Sequence, residues 1–320
     1  MSQEINLKQT AELLQKKDDF AVICHASPDG DTLGGVYALC GALQKMQKRA
    51  KVVLPDAAST RFNYLKDAAV PQEFDEKFTI TVDVADSVLL GSSEKDYKDR
   101  ISLCIDHHVS NTRYADNLLL DSDAAAACEV VYMLIKELSE LHGKDIMTKE
   151  IAACLYTGIS TDTGCFRFSN TTANTHRITA ELMEYSFDCA GLNYLLFDMR
   201  TKERVELERQ ALEGIEFAFD GKCAVITLTK EMLDNADDED VNAIGSLPRQ
   251  IDGVEAGVTF KERKKDEWKV SIRTKNYIDA RQICAQFGGG GHQRAAGCRI
   301  KGSLSECKER LLKVLGLSIR

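Results

Sequence analysis

Short apolar runs that alternate with helical patterns most constrain what the first half of this 320-residue chain can fold into. Because these runs are apolar almost throughout, they are typical of parallel strands that are covered on both faces. The intervening patterns at residues 35–48, 124–138 and 148–158 predict the covering helices. Alternating strands and helices predict an α/β fold with a doubly wound parallel sheet. The four runs are FAVICHAS (20–27), KVVLP (51–55), FTITVDVAD (78–86) and ISLCIDHH (101–108).

The second half has a different pattern, which predicts a second and smaller α/β domain. Residues 198–214 form a charged amphipathic pattern that predicts a helix bridging the two halves. KCAVITLTK (222–230) predicts a strand, and residues 253–275 predict a hairpin that turns near 264–266. A helix at 279–287, a glycine run, a short strand and a last helix complete this half.

Composition excludes several classes of protein. Apolar residues make up 44% of the chain, yet no apolar run approaches the roughly 18 residues that a membrane helix needs. The N-terminal residues MSQEINLKQT lack the features of a signal peptide, so a cytoplasmic location is expected. The eleven cysteines are scattered without a Cys-x-x-Cys pair, which favours reduced thiols over a disulfide framework or a structural zinc site. The acidic run at 234–240 is interpreted as a solvated loop or a helix start.

Aspartate and histidine stand where several of the apolar segments end. Because the carboxyl ends of parallel strands line one crevice, these side chains should converge. Each has an ordinary interpretation when taken singly, as a helix N-cap, a turn residue or a structural histidine. Together the carboxylates would repel one another and raise one another's pKa, so the cluster favours bound cations. The residues are His25, Asp29 and Asp31 in HASPDGD, Asp83 and Asp86 in TVDVAD, the triplet Asp106-His107-His108, and Asp162 in GISTDTG.

Charge balance indicates two divalent metal ions in this crevice. Four carboxylates contribute −4, two neutral imidazoles contribute nothing, and two divalent ions contribute +4. Oxygen-rich ligands with a little imidazole suit Mn²⁺ or Mg²⁺ better than a metal that seeks thiolates. Two such ions roughly 3.5–4 Å apart are typical of phosphoryl chemistry. They would also attract an anionic substrate to a chain whose net charge of −9 argues against binding long duplexes.

The order of these motifs resembles the DHH phosphoesterase superfamily. The pattern is His-x-x-x-Asp-x-Asp, then Asp, then Asp-His-His, then Asp within Thr-Asp-Thr-Gly. FGGGGHQRAAG (287–297) is similar to the signature of the DHHA1 domain, which follows the catalytic domain in one branch of that superfamily. The length is most similar to the oligoribonuclease/pAp-phosphatase (nanoRNase) group, since RecJ-type exonucleases are much longer. The resemblance implies a catalytic DHH domain at 1–190, a linker helix at 191–215 and a substrate-binding DHHA1 domain at 216–320.

The resemblance also implies a role for each motif residue. Asp83 would bridge the two metals, and Asp106 would hold His107 in its ligating tautomer. His108 would face the substrate phosphate and, when protonated, stabilise the charge on its oxygens. Asn111 and Arg113 would touch phosphate, with a plain surface arginine as the alternative for Arg113. The implied ligands are His25, Asp29 and Asp83 for one metal, and Asp31, Asp83, His107 and Asp162 for the other.

The glycine run in the second domain predicts an anion-binding site, and the resemblance implies that this site binds the nucleotide end. Glycines leave backbone N–H groups unobstructed and allow positive φ, so that successive N–H groups can form an anion-binding nest. His292 would add a donor or a stacking face, and the resemblance places Arg273 at the same site. A plain glycine linker is the alternative, which the flanking apolar helix and AAG disfavour. The predicted contacts are Arg273, Gly289, Gly290, Gly291 and His292.

The resemblance implies a metal-dependent hydrolase that degrades short oligoribonucleotides to mononucleotides, in the 3′→5′ direction, and removes the 3′-phosphate of pAp. Mn²⁺ is the favoured metal, with Mg²⁺ or Co²⁺ as alternatives, and a homodimer is the implied assembly. A cleft between the two domains would limit substrate length. The motifs leave open a phosphodiesterase for linear dinucleotides such as pApA. A pyrophosphatase is disfavoured by the glycine run, and a non-enzymatic nucleotide or RNA sensor by the complete set of ligands.

Overall fold

The computed structural model describes residues 2–234 and 238–319. The chain divides into two compact units, Met1–Met199 and Arg200–Arg320. Each unit has its own sheet and its own hydrophobic core. The first unit contains the predicted acid and histidine cluster, and the second contains the glycine run.

The first unit contains a six-stranded parallel sheet with strand order β1-β6-β5-β4-β2-β3. Every residue of β2, β4 and β5 is buried, which explains why these strands are mainly apolar. The prediction of a parallel α/β sheet is therefore confirmed. The strands are β1 (Gln3–Glu4), β2 (Phe20–Ile23), β3 (Ala50–Val53), β4 (Phe78–Val82), β5 (Leu103–Asp106) and β6 (Asn117–Leu120).

Helices cover this sheet, and two of them approach each other very closely. The helix predicted at 35–48 begins earlier, at Gly30, because the Asp29 side chain caps it by accepting hydrogen bonds from the backbone of Asp31 and Thr32. A Cβ atom at Gly34 would lie 2.3 Å from the carbonyl oxygen of Cys154, so only glycine permits this packing of α2 on α5. The helices are α1 (Leu7–Lys16), α2 (Gly30–Lys45), α3 (Glu94–Tyr97), α4 (Ala127–His142), α5 (Lys149–Asp162), α6 (Ala173–Met183) and α7 (Cys189–Asn193).

The second unit contains a mixed six-stranded sheet with strand order β11-β12-β10-β9-β8-β7. The predicted hairpin is confirmed as antiparallel β9 and β10, and β8 pairs parallel to β9. One face of the sheet packs its apolar side chains against α12 and α13. The strands are β7 (Glu216–Ala218), β8 (Cys223–Leu228), β9 (Ala256–Lys264), β10 (Glu267–Thr274), β11 (Gly290–His292) and β12 (Ala295–Lys301).

The helices of the second unit lie on both faces of its sheet. Residues 235–237 of the predicted acidic loop lie outside the described residues, and α10 begins just after them. Within the described parts of the chain, no helix combines the length and the apolar character that crossing a bilayer would require. The helices are α8 (Lys202–Glu213), α9 (Lys230–Leu233), α10 (Asp238–Ile244), α11 (Leu247–Gln250), α12 (Ala280–Ala285) and α13 (Leu304–Gly316).

The segment predicted as a linker helix, 191–215, contains a short π-helical turn at Tyr194–Asp198 and the whole of α8. Leu207 and Ala211 of α8 are buried against β8 of the second unit. The boundary between the compact units falls between Met199 and Arg200. The exact domain limits at 190 and 216 stay a prediction.

Candidate metal centre

Asp83 lies at the centre of the predicted cluster, directly after β4. Its backbone is in the left-handed region, with φ of 62°, and its N–H donates to the carbonyl of Ile105 on β5. Its side chain is 5% exposed and extends between two histidines. One carboxylate oxygen, Oδ2, lies 3.8 Å from Nε2 of His25, and the other, Oδ1, lies 3.5 Å from Nε2 of His107. One carboxylate therefore serves both halves of the cluster.

The His25 ring is oriented by its own backbone neighbour. Its Nδ1 lies 2.8 Å from the carbonyl oxygen of Ala26. Because a carbonyl only accepts, Nδ1 must carry the proton, and Nε2 then presents a lone pair to Asp29 and Asp83. Nε2 lies 3.8 Å from Oδ1 of Asp29, which is longer than a hydrogen bond. His25, Asp29 and Asp83 thus form one group of three convergent ligand atoms.

His107 is oriented in the same way at the end of β5. Its Nδ1 lies 3.2 Å from the carbonyl oxygen of Ala124, which leaves the Nε2 lone pair directed into the cluster. Nε2 lies 3.9 Å from Oδ2 of Asp31 and 3.8 Å from Oδ2 of Asp162, the last residue of α5. Asp31, His107 and Asp162 form a second group of convergent ligand atoms. Asp83 belongs to the first group, and its Oδ1 lies 3.5 Å from Nε2 of His107 in the second, so the carboxylate joins the two groups.

The Asp31 carboxylate is fixed by the beginning of α4. Oδ2 accepts a 2.7 Å hydrogen bond from the backbone N–H of Ala127, and Oδ1 accepts a 2.9 Å bond from Cys128. The N-cap residue of α4, Ala126, has no side chain that could cap the helix. Asp31 therefore satisfies backbone donors that a helix otherwise leaves unpaired, and the helix dipole stabilises its negative charge.

Glycine at position 158 of α5 makes room for this arrangement. A Cβ atom at Gly158 would lie 2.7 Å from Oδ1 of Asp31 and 2.2 Å from Sγ of Cys128. Asp31 and Cys128 cannot move away easily, because both residues are buried and a hydrogen bond joins them at the start of α4. The need for glycine here has a packing cause, since no positive φ is involved.

We expect Gly158→Ala to lower the free energy of unfolding by about 1–3 kcal/mol, as overpacking of a buried site does. It should also weaken divalent-metal binding, because the added methyl displaces the Asp31 carboxylate. Thermal unfolding with and without Mn²⁺ measures both effects. Gly214→Ala is the matched control, since the nearest atom to its added Cβ is an ordinary 3.6 Å away. Equal melting temperatures for the two variants would contradict the packing argument.

Asp106 orients His108 and not His107, which corrects the prediction. Its Oδ1 accepts hydrogen bonds from the backbone N–H groups of both histidines and lies 2.9 Å from Nδ1 of His108. The His107 ring bonds to Ala124 instead, because its Nδ1 points away from the carboxylate. Asp106 is fully buried, whereas the His108 side chain is 45% exposed. The hydrogen bond that Nδ1 of His108 donates to Asp106 raises the pKa of His108, which favours the imidazolium form.

Asn111 supports Asp106, although the sequence predicts that it touches phosphate. Its Nδ2 donates a 2.6 Å hydrogen bond to Oδ2 of Asp106, and its Oδ1 accepts one from the backbone of Arg113. Arg113, also predicted to contact phosphate, forms a 2.7 Å ion pair with Glu4 on the exterior. This ion pair is compatible with the plain surface arginine that was the alternative, and the contact of Arg113 with phosphate stays a prediction. Asp86 caps a 3₁₀ helix through a 2.9 Å bond from Val88, as a turn residue does.

The predicted nucleotide-end residues all lie in the second unit. Gly290–His292 form the edge strand β11, where the sequence predicts a nest of backbone N–H groups. Gly288, with φ of 69°, provides the turn before it, and Gly291 has φ of 139°. Arg273 on β10 pairs with Ala295 on β12, which in turn pairs with His292. Arg273 and His292 therefore lie in one cross-strand row.

Electrostatic repulsion within the cluster is strong. Burial raises the pKa of Asp83 well above its ordinary value, and the negative charges of Asp31 and Asp29 raise it further. Burial also raises the pKa of Asp31, and burial together with the charge of Asp31 raises the pKa of Asp162 to about 6. Asp29 is the exception, because the His25 ring lowers its pKa although burial acts in the opposite direction. The cluster therefore needs positive charge if all its carboxylates are to be ionised at neutral pH.

The residues present fit divalent metal ions. Oδ1 of Asp83 is buried without a hydrogen-bond partner among the described residues, and it faces the lone pair of His107. The Nε2–carboxylate distances of 3.5–3.9 Å fall in the range for ligands that share one octahedral ion, roughly 3–4.2 Å for bonds of about 2.1 Å. Asp83, His107 and His108 form a third convergent group. However, Nδ1 of His108 already donates to Asp106.

Sequence reasoning missed the backbone groups that hold the cluster. The carbonyls of Ala26 and Ala124 and the amides at the start of α4 carry no side-chain signal. Gly158 is different, because it opens the GISTDTG motif and could have been singled out there. A glycine one helical turn before Asp162 lies on the same face of α5 as that ligand.

Comparison with known proteins assigns the chain to a class. The family model for the N-terminal domain of the DHH family matches residues 19–159, and the model for the DHHA1 domain matches residues 220–319. A solved structure of an exopolyphosphatase-related protein from Bacteroides fragilis has a TM-score of 0.83 at 21% identity, and covers 98% of this chain and 94% of its own. Exonuclease RecJ bound to manganese has a TM-score of 0.57 at 13% identity, over 98% and 95% of the two chains. These two structures support the fold.

Curated relatives with similar sequences support the assignment of the chain to a family. It is 32% identical to the bifunctional oligoribonuclease and PAP phosphatase NrnA of Thermus thermophilus, over 97% of this chain and 93% of that protein. It is 29% identical to the protein of the same name from Bacillus subtilis, over 86% and 87% of the two chains. The chain therefore belongs to the DHH/DHHA1 phosphoesterase family, and it is a hydrolase with groups suited to binding metal ions.

Proposed function

We propose that this chain hydrolyses short oligoribonucleotides to mononucleotides, in the 3′→5′ direction, and removes the 3′-phosphate of pAp. The observation that carries the proposal is that the Asp83 carboxylate lies between the histidines of two ligand groups, beside a half-exposed His108 that is bonded to a buried carboxylate. The names of the curated relatives support this substrate class. The eleven free cysteines support a cytoplasmic location. The homodimer stays a prediction.

In this proposal two divalent ions, with Mn²⁺ favoured over Mg²⁺ or Co²⁺, are held by the two groups that meet at Asp83. His25, Asp29 and Asp83 hold one ion, and Asp31, Asp83, His107 and Asp162 hold the other. When bound, such ions polarise the phosphoryl group and lower the pKa of water. The carbonyls of Ala26 and Ala124 keep the two histidines in the tautomer that presents Nε2 to the metals.

His108 is proposed as the residue that contacts the scissile phosphate. Asp106 accepts a hydrogen bond from Nδ1–H and so holds the ring, which leaves Nε2–H to donate to a phosphoryl oxygen. Asn111 fixes the other oxygen of Asp106, which leaves the carboxylate little freedom to rotate. In the net reaction, water adds to phosphorus, the phosphorus–oxygen ester bond breaks, and the departing oxygen gains a proton.

The test incubates the protein and Mn²⁺ with each of four substrates in separate reactions: pAp, pApA, a 5-mer RNA and a 24-mer RNA. We expect mononucleotide release from the short RNA and phosphate release from pAp, with little turnover of the 24-mer. A label at either end of the 5-mer determines the direction of degradation. Turnover of pApA alone would favour a linear-dinucleotide phosphodiesterase. Hydrolysis of none of the four by the metal-loaded protein would contradict the proposal.

A further inference from the structure

The backbone that carries Asp83 is held by hydrogen bonds from outside its own strand. Its φ of 62° is uncommon for a residue other than glycine, and such a conformation persists only where the surrounding structure holds it. The Thr32 hydroxyl donates a 2.9 Å bond to the carbonyl of Val82, just before this residue. The N–H of Thr112 donates a 2.9 Å bond to the carbonyl of Ala85, just after it. The position of the shared carboxylate therefore depends on residues that are not themselves ligands.

Tyr114 makes the central one of these contacts. Its hydroxyl donates a 3.0 Å hydrogen bond to the carbonyl oxygen of Val84, the residue directly after Asp83. The same hydroxyl oxygen lies 2.7 Å from Oγ1 of Thr81, two residues before Asp83. Because a carbonyl only accepts and a phenol has a single proton, the Thr81 hydroxyl must donate to Tyr114. The tyrosine therefore bridges positions 81 and 84 across the left-handed residue.

Two further donors lie near the Val84 carbonyl, but neither can replace the tyrosine. Sγ of Cys104 and Nδ2 of Asn111 each lie 3.5 Å from this oxygen. Nδ2 of Asn111 makes its main bond to Asp106, at 2.6 Å. The bond from Tyr114 is the shortest of the three, and so it is the main restraint on this carbonyl.

The surroundings of Tyr114 keep its hydroxyl a hydrogen-bond donor. The side chain packs against a small buried core that includes Val84, Leu90 and Cys104. Burial raises the pKa of Tyr114 well above its ordinary value, so the hydroxyl keeps its proton. Phenylalanine has the same ring without the hydroxyl. It can therefore keep this packing while it removes only the hydrogen bonds.

We propose that Tyr114 is a positioning residue of the metal centre, whose hydroxyl holds the strained backbone so that the Asp83 carboxylate extends between the histidines of the two ligand groups. This inference rests on the proposed function, because it concerns the metal centre used there. Without the hydroxyl, the backbone at Asp83 can relax, and a displaced carboxylate no longer fits both ions, since such metal bonds have a narrow range of length. Tyr114 acts only through this backbone, so its loss weakens metal binding and leaves the chemical step intact.

The test measures the Mn²⁺ affinity of Tyr114→Phe, with free Mn²⁺ followed by electron paramagnetic resonance. We expect binding about tenfold weaker than that of the unsubstituted chain, at the lower end of the losses seen when a group that orients a metal ligand is removed. Hydrolysis of pAp at limiting Mn²⁺ should fall as well. Saturating Mn²⁺ should restore kcat and leave the KM for pAp unchanged, whereas loss of a residue that takes part in the chemical step would lower kcat at every Mn²⁺ concentration.

Tyr185→Phe is the matched control, because Tyr185 is also half-buried and its hydroxyl donates a 2.7 Å bond to Asp145, which is not part of the centre. In EDTA both variants should melt within about 4 °C of the unsubstituted chain, since each loses one hydroxyl. Unchanged Mn²⁺ affinity of Tyr114→Phe, or an equal loss in the control, would overturn the inference alone. A larger fall in melting temperature for Tyr114→Phe, or a kcat that stays low at saturating Mn²⁺, would also overturn it. Absence of Mn²⁺ binding by the unsubstituted chain would overturn the proposed metal centre together with this inference.

Discussion

Asp83→Asn is expected to abolish hydrolysis while it stabilises the metal-free protein. Activity should fall by about 10³-fold or more, because one carboxylate serves both ligand groups and its loss removes charge from both proposed metal sites. Asparagine has nearly the same shape, and it tolerates the positive φ of this position better than most residues do. The backbone after β4 should therefore keep its conformation.

The stabilisation follows from the electrostatics of the cluster. Asp83 is buried among other carboxylates, and burial together with their charges raises its pKa well above the usual range. Replacing it with a neutral amide removes that repulsion, so the metal-free variant should melt higher by a few degrees, at about 2–4 °C for each kcal/mol. Adding Mn²⁺ should stabilise the unsubstituted chain, since a ligand that binds only the folded state raises its stability, and should have little effect on the variant.

Differential scanning fluorimetry with EDTA and with Mn²⁺ measures both changes in one experiment. Asp86→Asn is the control, because Asp86 follows the same strand but only caps a 3₁₀ helix, which asparagine also does well. A lower melting temperature for metal-free Asp83→Asn would mean that the carboxylate stabilises the fold by itself. An Mn²⁺-dependent shift as large as that of the unsubstituted chain would contradict its role in both sites.

His108→Ala and His107→Ala are expected to separate catalysis from metal binding, although the two residues are adjacent. His108→Ala should lower kcat by about 10²–10³-fold, as the loss of one donor to a developing charge does, and should keep the Mn²⁺-dependent stabilisation. His107→Ala should lose both the activity and the Mn²⁺-dependent stabilisation. The physical reason is the orientation of the rings, since His107 presents Nε2 to three carboxylates whereas Nδ1 of His108 is bonded to Asp106.

Single-turnover rates and Mn²⁺-dependent melting, measured on the same preparations, test this separation. His142→Ala is a control for replacing an exposed histidine, since His142 lies in the last turn of α4, at the end opposite to the amides that hold Asp31. If His108→Ala lost the Mn²⁺-dependent shift, His108 would be a metal ligand in the third group, with Asp83 and His107. The proposed contact between His108 and phosphate would then be wrong.

The cluster of acids and histidines could be predicted because most of its members directly follow strands of a parallel sheet. A parallel sheet brings the residues after β2, β4 and β5 to one edge. Polar residues at the ends of these apolar runs therefore indicate a shared site. The strands β1 and β6, which lie side by side at one end of the sheet, were not predicted. β1 has only two residues, and the NLLL segment of β6 is too short to show a period.

Side-chain partners could not be predicted from the same pattern. Asp106 bonds to His108 because of the turn that follows β5, and sequence does not determine which of two adjacent rings faces a carboxylate. Arg113 pairs with Glu4 across 109 positions of the chain, which no local pattern indicates. The glycine run forms an edge strand because β12 is available to pair with it, and that depends on the tertiary fold.

The stoichiometry of Mn²⁺ binding tests the central claim most directly. Titration of the metal-free chain with Mn²⁺, with free ion followed by electron paramagnetic resonance, counts the bound ions without any assumption about the substrate. The account predicts two ions per chain for the unsubstituted protein and fewer than two for Asp83→Asn under the same conditions. A single bound ion, or two ions that remain bound in Asp83→Asn, would contradict a centre built on one shared carboxylate.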